Sequence, residues 1–198
     1  MRYVALGDSY TIGEGVSLED SFPYLLADSL KSESINLELF DIIAKTGWTT
    51  QNFIEEWLSR YKKLNPTFST LLIGVNDWVQ GVDRKKFRNN LRHIIYSTLA
   101  VLPEGKLVLM TIPDFSVTPE GYKYARGRDI SQGIYDFNQI VLEEGERREL
   151  PVVDIYPETQ RMARIPELIA EDGLHPSRLE YERWKDLVLP IAKELLPT

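Results

Sequence analysis

Two histidines, His93 and His175, are the residues of this 198-residue chain best suited to move a proton near neutral pH. His175 follows Asp172 by three residues, close enough in a turn for the carboxylate to accept a hydrogen bond from the imidazole. Such an Asp–His pair fixes one tautomer of the ring and stabilises the imidazolium that forms during proton transfer. The same spacing is typical of a turn that enters a helix with a capping histidine, so both interpretations stay open.

His93 occurs in a different pattern, inside a segment with the apolar spacing of a long helix capped by Asp83. It falls two positions after Leu91, which places it about 200° around the helix axis from the apolar stripe. We therefore predict that His93 is a solvated surface residue with no part in chemistry.

Ser9 is the candidate nucleophile, because a serine hydroxyl becomes reactive when a neighbouring histidine takes its proton. It follows an apolar run in Gly7-Asp8-Ser9. A serine after a strand is also a common helix cap. A phosphate-binding loop is disfavoured, because Gly7 and Gly13 lack the spacing of a P-loop and Glu14 would repel a phosphate.

Two further residues can donate hydrogen bonds to a developing oxyanion. Gly47 lets its backbone N–H approach a substrate closely, since no Cβ stands in the way. Asn76 carries a side-chain amide at the end of a predicted strand. Each residue alone is typical of a turn. Their joint occurrence at successive strand ends favours acyl transfer.

Composition excludes several classes of protein. Hydrophobic residues make up 43% of the chain and charged residues 27%, as in ordinary globular proteins, and the length predicts a single domain over residues 1–198. The absence of cysteine excludes disulfides, thiol catalysis and zinc–thiolate sites. A net charge of −7 argues against a nucleic-acid partner. No apolar run is long enough for a transmembrane segment or a signal peptide, so we expect a cytoplasmic protein.

The elements that must position these residues alternate between strands and helices. Continuous apolar strands between helices predict a parallel sheet covered on both faces, which right-handed crossovers wind into a three-layer α/β/α domain. Ligands of such sheets bind beyond the carboxyl ends of the strands. The predicted strands are 2–7, 35–43, 70–75, 107–112 and 151–155, and the longer predicted helices are 22–30, 49–63, 83–102, 130–148 and 178–196, the last kinked at Pro190.

Four sequence blocks occur in order along the chain: Gly7-Asp8-Ser9, Gly47, Gly74-x-Asn76-Asp77 and Asp172-x-x-His175-Pro176. In order and spacing over the whole chain, they resemble the SGNH, or GDSL-type, serine hydrolases. Two departures are visible: Tyr10 stands where the family often has leucine or isoleucine, and Ala44-Lys45-Thr46 lacks the asparagine that often precedes the family's glycine.

This resemblance implies the flavodoxin-like SGNH hydrolase fold with a five-stranded parallel sheet, and a catalytic triad of Ser9, His175 and Asp172. It implies an oxyanion hole formed by the backbone N–H groups of Ser9 and Gly47 and the amide of Asn76. It also implies hydrolysis of a small-molecule or lipid acyl ester with no metal or cofactor. Lysophospholipase, thioesterase or small-ester activity is favoured, and carbohydrate O-acetyl esterase activity is the alternative.

Four aromatic residues are predicted to wall the substrate pocket. Trp48 and Trp78 each lie within two residues of an oxyanion donor, and Phe115 and Tyr122 belong to the long irregular segment 114–127. A segment of that length without a clear period is typical of a functional loop, and its aromatic content argues against disorder. Two other functions stay open on the same sheet, a non-catalytic small-molecule-binding module and a nucleotide-binding flavodoxin-like domain.

Overall fold

The structure, a computed structural model, describes residues 1–102 and 106–196. Five parallel strands form one sheet: β1 (Arg2–Gly7), β2 (Glu38–Ala44), β3 (Phe68–Leu72), β4 (Leu107–Met110) and β5 (Val152–Val153). Their order across the sheet is β2-β1-β3-β4-β5, so β1 lies between β2 and β3. The order of the strands therefore reverses between β1 and β3, the place where ligands of doubly wound sheets bind.

Helices pack in two groups around this sheet. The second helix packs against the last one, whereas the third, sixth and seventh pack against one another in series. The prediction of a doubly wound α/β fold with a five-stranded parallel sheet is confirmed. The helices are α1 (Ser9–Ile12), α2 (Phe22–Ser32), α3 (Thr50–Glu56), α4 (Leu58–Leu64), α5 (Val75–Gln80), α6 (Arg84–Leu99), α7 (Ile130–Glu146), α8 (Tyr156–Thr159) and α9 (Arg178–Leu195).

The central strands read as apolar runs because both of their faces are covered. Residues 3–7 of β1 and all of β3 are buried. The two polar side chains Ser69 and Thr70 are tolerated inside because the hydroxyls of Tyr61 and Tyr3 pair with them at 2.8 and 2.7 Å. The two central strands thus form a packed support for the loops at the carboxyl edge of the sheet.

Most predicted elements have somewhat different bounds in the structure. The strands predicted over 35–43, 107–112 and 151–155 span Glu38–Ala44, Leu107–Met110 and Val152–Val153, and the ends of the helices predicted over 22–30, 83–102, 130–148 and 178–196 differ by up to three residues. The single helix predicted over 49–63 is interrupted at Trp57, which separates α3 from α4. The strand predicted over 70–75 spans Phe68–Leu72, because Gly74 turns the chain with a φ of 130° and Val75 begins α5. Helix α9 continues through Pro190 as one helix.

Candidate active site

Ser9 is placed by the end of β1, the central strand that precedes it. The carboxylate of Asp8 caps α1 by accepting the backbone N–H of Tyr10 at 3.2 Å. Ser9 is the first residue of that helix, so its own N–H has no acceptor within the helix. A Cβ at Gly7 would lie 2.2 Å from the carbonyl oxygen of Leu72, so only glycine allows this close approach to β3.

His175 and Asp172 join Ser9 in a continuous line of hydrogen bonds. The His175 Nε2 lies 3.1 Å from Ser9 Oγ, and its Nδ1 lies 2.6 Å from Asp172 Oδ2. His175 is 7% exposed, which shields these bonds from competing water. The structure therefore brings together the three residues that the sequence places at opposite ends of the chain.

The Asp172 carboxylate is held by its own turn. Its Oδ1 accepts the backbone N–H groups of Leu174 and His175, each at 2.9 Å. Partial burial opposes ionisation, but these two backbone bonds and the His175 ring outweigh it, and the pKa of Asp172 lies below its ordinary value. The carboxylate is thus ionised and oriented where an imidazolium would form.

The turn that carries both residues is closed at its base. The backbone N–H of Ala170 donates to the carbonyl oxygen of His175 at 2.8 Å, and that of Ser177 donates to Leu168 at the same distance. Gly173 has a φ of 72°, in the left-handed region that favours glycine. Asp172 and His175 therefore belong to one short, internally bonded loop.

Gly47 and Asn76 lie at the same edge, Gly47 on the loop that follows β2 and Asn76 in the first turn of α5, which follows β3. Gly47 has a φ of 82°, and a side chain there would meet open space. The Asn76 amide donates one hydrogen bond to the carbonyl oxygen of Trp48 at 3.0 Å, which orients the side chain. An amide nitrogen carries two hydrogens, so the second is left for another acceptor.

These residues surround an open cavity of about 200 Å³. Polar groups line the part near Ser9, and apolar side chains of α5, the segment 114–127 and the His175 turn line the rest. The lining residues are Ser9, Tyr10, Glu14, Thr46, Gly47, Val75, Asn76, Val79, Phe115, Tyr124, Leu174 and His175.

The four predicted wall residues fare differently. Phe115 lines the cavity, but within the described part of the chain Trp48, Trp78 and Tyr122 are not among its lining residues. The Trp48 ring packs on Phe53, and the Trp78 ring lies between Phe115 and the guanidinium of Arg128. Tyr122 is 68% exposed.

Seven lining residues are not among the site residues predicted from the sequence: Tyr10, Glu14, Thr46, Val75, Val79, Tyr124 and Leu174. Tyr124 belongs to the same aromatic segment as Tyr122, and only the turn at Gly121–Tyr124 decides which ring faces inward. Glu14 was considered only as an obstacle to phosphate. Its proximity to His175 comes from the fold of the loop after α1.

Two buried carboxyl groups lie beneath the site. Asp8 is fully buried, and this burial raises its pKa to about 8. Burial also raises the pKa of Asp77 to about 6, although Thr50 donates both its N–H and its hydroxyl to that carboxylate. Both groups therefore favour the protonated form more strongly than a solvated aspartate does.

The remaining predicted features lie away from the cavity. His93 is exposed on α6. Within residues 1–102 and 106–196, no cluster of three or more His, Asp or Glu side chains has the geometry of a metal site. Over the same ranges, no helix combines the length and the apolar character needed to cross a membrane.

Known proteins are similar to this chain along most of its length. An arylesterase of Vibrio mimicus is 25% identical over 195 residues, covering 98% of this chain and 88% of the relative. The thioesterase 1/protease 1/lysophospholipase L1 of Escherichia coli K12 is 23% identical over 175 residues, covering 87% and 74%. The lipase/acylhydrolase structure from Enterococcus faecalis superposes with a TM-score of 0.78 at 24% identity, covering 100% of this chain and 98% of that one.

The match to a family extends over nearly the whole chain. The model of the GDSL-like lipase/acylhydrolase family matches residues 5–183. This range includes Ser9, His175, the part of β1 from Ala5 onward and all of the other four strands. The resemblance predicted from the four sequence blocks is confirmed. The family model covers most of the chain, and the similar enzymes match along most of its length. This chain therefore belongs to the GDSL-like lipase/acylhydrolase family.

Proposed function

We propose that this protein cleaves carboxylic ester bonds through a Ser9–His175–Asp172 triad and an acyl-enzyme intermediate. The observation that carries the proposal is the line of hydrogen bonds from Ser9 Oγ through the imidazole to Asp172, opening on the cavity. A binding module would have no need for a nucleophile aligned with a base and an ionised carboxylate.

In the first half of the reaction, Ser9 Oγ attacks the carbonyl carbon of the ester. His175 Nε2 takes the hydroxyl proton as the new C–O bond forms. Asp172 accepts the Nδ1–H bond, which fixes the tautomer that leaves Nε2 free to act as a base. The positive charge on the ring is balanced by that carboxylate.

The negative charge on the tetrahedral oxygen needs donors that are already in place. Ser9 N–H, Gly47 N–H and the second hydrogen of the Asn76 amide are the candidates at this edge. The Asn76–Trp48 bond ties the amide, in the first turn of α5, to the loop after β2. Donors fixed in advance stabilise the transition state without reorganisation, at about 2.7–4 kcal/mol for each one.

The second half returns the enzyme to its starting state. His175 gives its proton to the leaving oxygen, the C–O bond of the ester breaks, and the alcohol departs. A water then attacks the acyl-enzyme while His175 again takes a proton. His175 returns this proton to Ser9 Oγ as the Ser9–acyl bond breaks, and the acid leaves.

The lining of the cavity favours a neutral carbon chain or ring as part of the substrate. Val75, Val79, Leu174 and Phe115 supply an apolar surface, and Tyr124 adds an aromatic one. This supports small-ester, thioesterase or lysophospholipase activity, the activities in the names of the two curated relatives. We infer that the substrate is a small-molecule ester.

The test is Ser9→Ala, assayed with p-nitrophenyl butyrate. Because only the nucleophilic oxygen is removed, we expect kcat to fall by about 10⁴–10⁶ while thermal unfolding stays unchanged. Ser59→Ala, an exposed serine of α4, is the matched control and should keep full activity. A folded Ser9→Ala protein with more than a tenth of the wild-type rate would refute the proposal.

A further inference from the structure

Glu14 is a carboxylate held next to the nucleophile and not used by the proposed mechanism. Its backbone N–H donates to the carbonyl oxygen of Ser9 at 3.1 Å, so the residue is anchored to the nucleophile itself. Its side chain is 39% exposed and lines the cavity. The hydroxyl of Thr46, from the loop after β2, donates to Glu14 Oε2. Glu14 thus connects the loops after the first two strands.

The loop that carries Glu14 has little freedom to move away. Gly13 and Gly15 on either side have φ angles of 82° and 88°. A Cβ at Gly15 would lie 2.9 Å from the Cβ of Ala170 and 3.1 Å from Asp172 Oδ2, so the loop packs directly on the turn that holds the dyad. The backbone of Glu14 is therefore held beside the turn that carries Asp172 and His175.

Glu14 is not placed to act as a base. Its Oε2 lies 4.0 Å from His175 Nε2, beyond hydrogen-bond distance, whereas Ser9 Oγ lies at 3.1 Å from the same nitrogen. Proton transfer between Ser9 and His175 can therefore proceed without it. What Glu14 contributes at this distance is its charge.

That charge has no partner of opposite sign in the lining. Among the described residues, the cavity is lined by no lysine or arginine, and Glu14 is the one carboxylate that lines it. Asp172 lies behind the imidazole, with both oxygens engaged by its own turn. A substrate in the cavity therefore meets a single uncompensated negative charge beside the scissile bond.

We propose that Glu14 is a specificity-determining residue that disfavours esters bearing a negative charge near the scissile bond and favours positively charged esters over neutral ones. This inference rests on the proposed function. Screened Coulomb interactions across a few ångströms of partly solvated cavity correspond to about a tenfold change in rate for each unit of substrate charge. The preferred substrate class is then cationic esters, followed by neutral ones.

The test compares substrates of matched size and different charge. On the acyl side, these are p-nitrophenyl 4-(trimethylammonio)butyrate, its uncharged isostere p-nitrophenyl 5,5-dimethylhexanoate and p-nitrophenyl hemiglutarate, which carry the cation, the neutral group and the anion at the same position of the chain. On the alcohol side, acetylthiocholine is compared with its uncharged isostere 3,3-dimethylbutyl thioacetate. The variants are Glu14→Gln, which keeps an oxygen for Thr46, and Glu14→Ala. Glu56→Gln, on the exposed face of α3, makes the same change in net charge far from the site.

We expect the wild-type kcat/KM to rank cation above neutral above anion. Both Glu14 variants should lower the cation-to-anion or cation-to-neutral ratio by at least about tenfold in one of the two series, and Glu56→Gln should leave it unchanged. Each ratio is measured within one preparation, so partial misfolding cancels. A shift in either series supports the proposal and identifies the side of the ester that Glu14 faces.

Ratios that stay within threefold of wild type in both series, or that change equally in Glu56→Gln, overturn it. This failure is separate from failure of the proposed function. In the first case Ser9→Ala still abolishes activity, and in the second it does not.

Discussion

The two histidines of the chain occupy regions that differ in everything except residue type. His93 lies on the outer face of α6, exposed to solvent. His175 lies at the carboxyl edge of the sheet, nearly buried, with a carboxylate on one ring nitrogen and a hydroxyl on the other. An imidazole is therefore a candidate base because of the groups that its two nitrogens contact. Of these two histidines, only the one at the carboxyl ends of the strands has such contacts.

The greatest loss of activity is expected when the imidazole of His175 is removed. His175→Ala should lower kcat by about 10⁴–10⁶, because the proton of Ser9 then has no acceptor. His93→Ala should change kcat by less than twofold. Both are measured with p-nitrophenyl butyrate and checked by thermal unfolding. If His93→Ala proved the more damaging, the site would lie elsewhere on the molecule.

A smaller effect is expected from the donor side of the site. Asn76→Ala should lower kcat by about 10²–10³ with a much smaller change in KM, because the amide acts on charge that develops only in the transition state. Asn89→Ala, an exposed asparagine of α6 near His93 in sequence, is the control from the other region and should be silent. A rise in KM at constant kcat would assign Asn76 to ground-state binding instead.

The smallest effect concerns stability and sharpens the contrast between two carboxyl groups of the same region. Asp172 is stabilised as an anion, whereas burial raises the pKa of Asp8 from the value near 3.9 of an unfolded chain to about 8. Between these values the folded state binds more protons, so the contribution of Asp8 to stability falls as pH rises from about 4 to about 8.

The Tm of the wild-type protein should therefore fall between pH 5 and pH 8, and in Asp8→Asn this fall should be smaller by at least about 3 °C. The amide oxygen of the variant can still accept the backbone N–H of Tyr10. Asp77 contributes with the same sign and remains in both proteins, so the flattening is partial. Asp28→Asn, an exposed aspartate of α2, is the control. An unchanged pH dependence in Asp8→Asn would show that the buried carboxyl is ionised at no cost.

Much of the fold could be predicted because each strand is an apolar run and each long helix has one apolar stripe. The break at Trp57 could not be predicted, since Phe53, Trp57 and Tyr61 keep stacking across it at centroid distances of 4.9 and 5.1 Å. Side-chain periodicity continues there although the helix does not. The end of β3 was predicted too late for a similar reason, because Val75 is buried in α5 as it would be in a strand.

The grouping of Ser9, Asp172 and His175 could be predicted because the order and spacing of their sequence blocks are specific. The pocket wall could not, because an aromatic residue type does not determine where its ring points. Trp48 and Trp78 flank the proposed oxyanion donors in sequence but pack into the protein. Glu14 required knowledge of how the loop after α1 returns to the carbonyl oxygen of Ser9, a long-range arrangement of backbone that the local sequence does not encode.

The closed loop 168–177 has a consequence for how activity is acquired during folding. Its ends are joined by backbone bonds, so the Asp172–His175 pair needs only a local closure, and loops of about ten residues close in roughly 10–100 ns. Ser9 lies 166 positions earlier in the chain. It meets the imidazole only when β1 has found its place in a parallel sheet, a non-local event that is intrinsically slow. We therefore expect recovery of hydrolysis during refolding to report the completion of the whole topology, because the Asp172–His175 pair depends on local contacts alone and Ser9 does not.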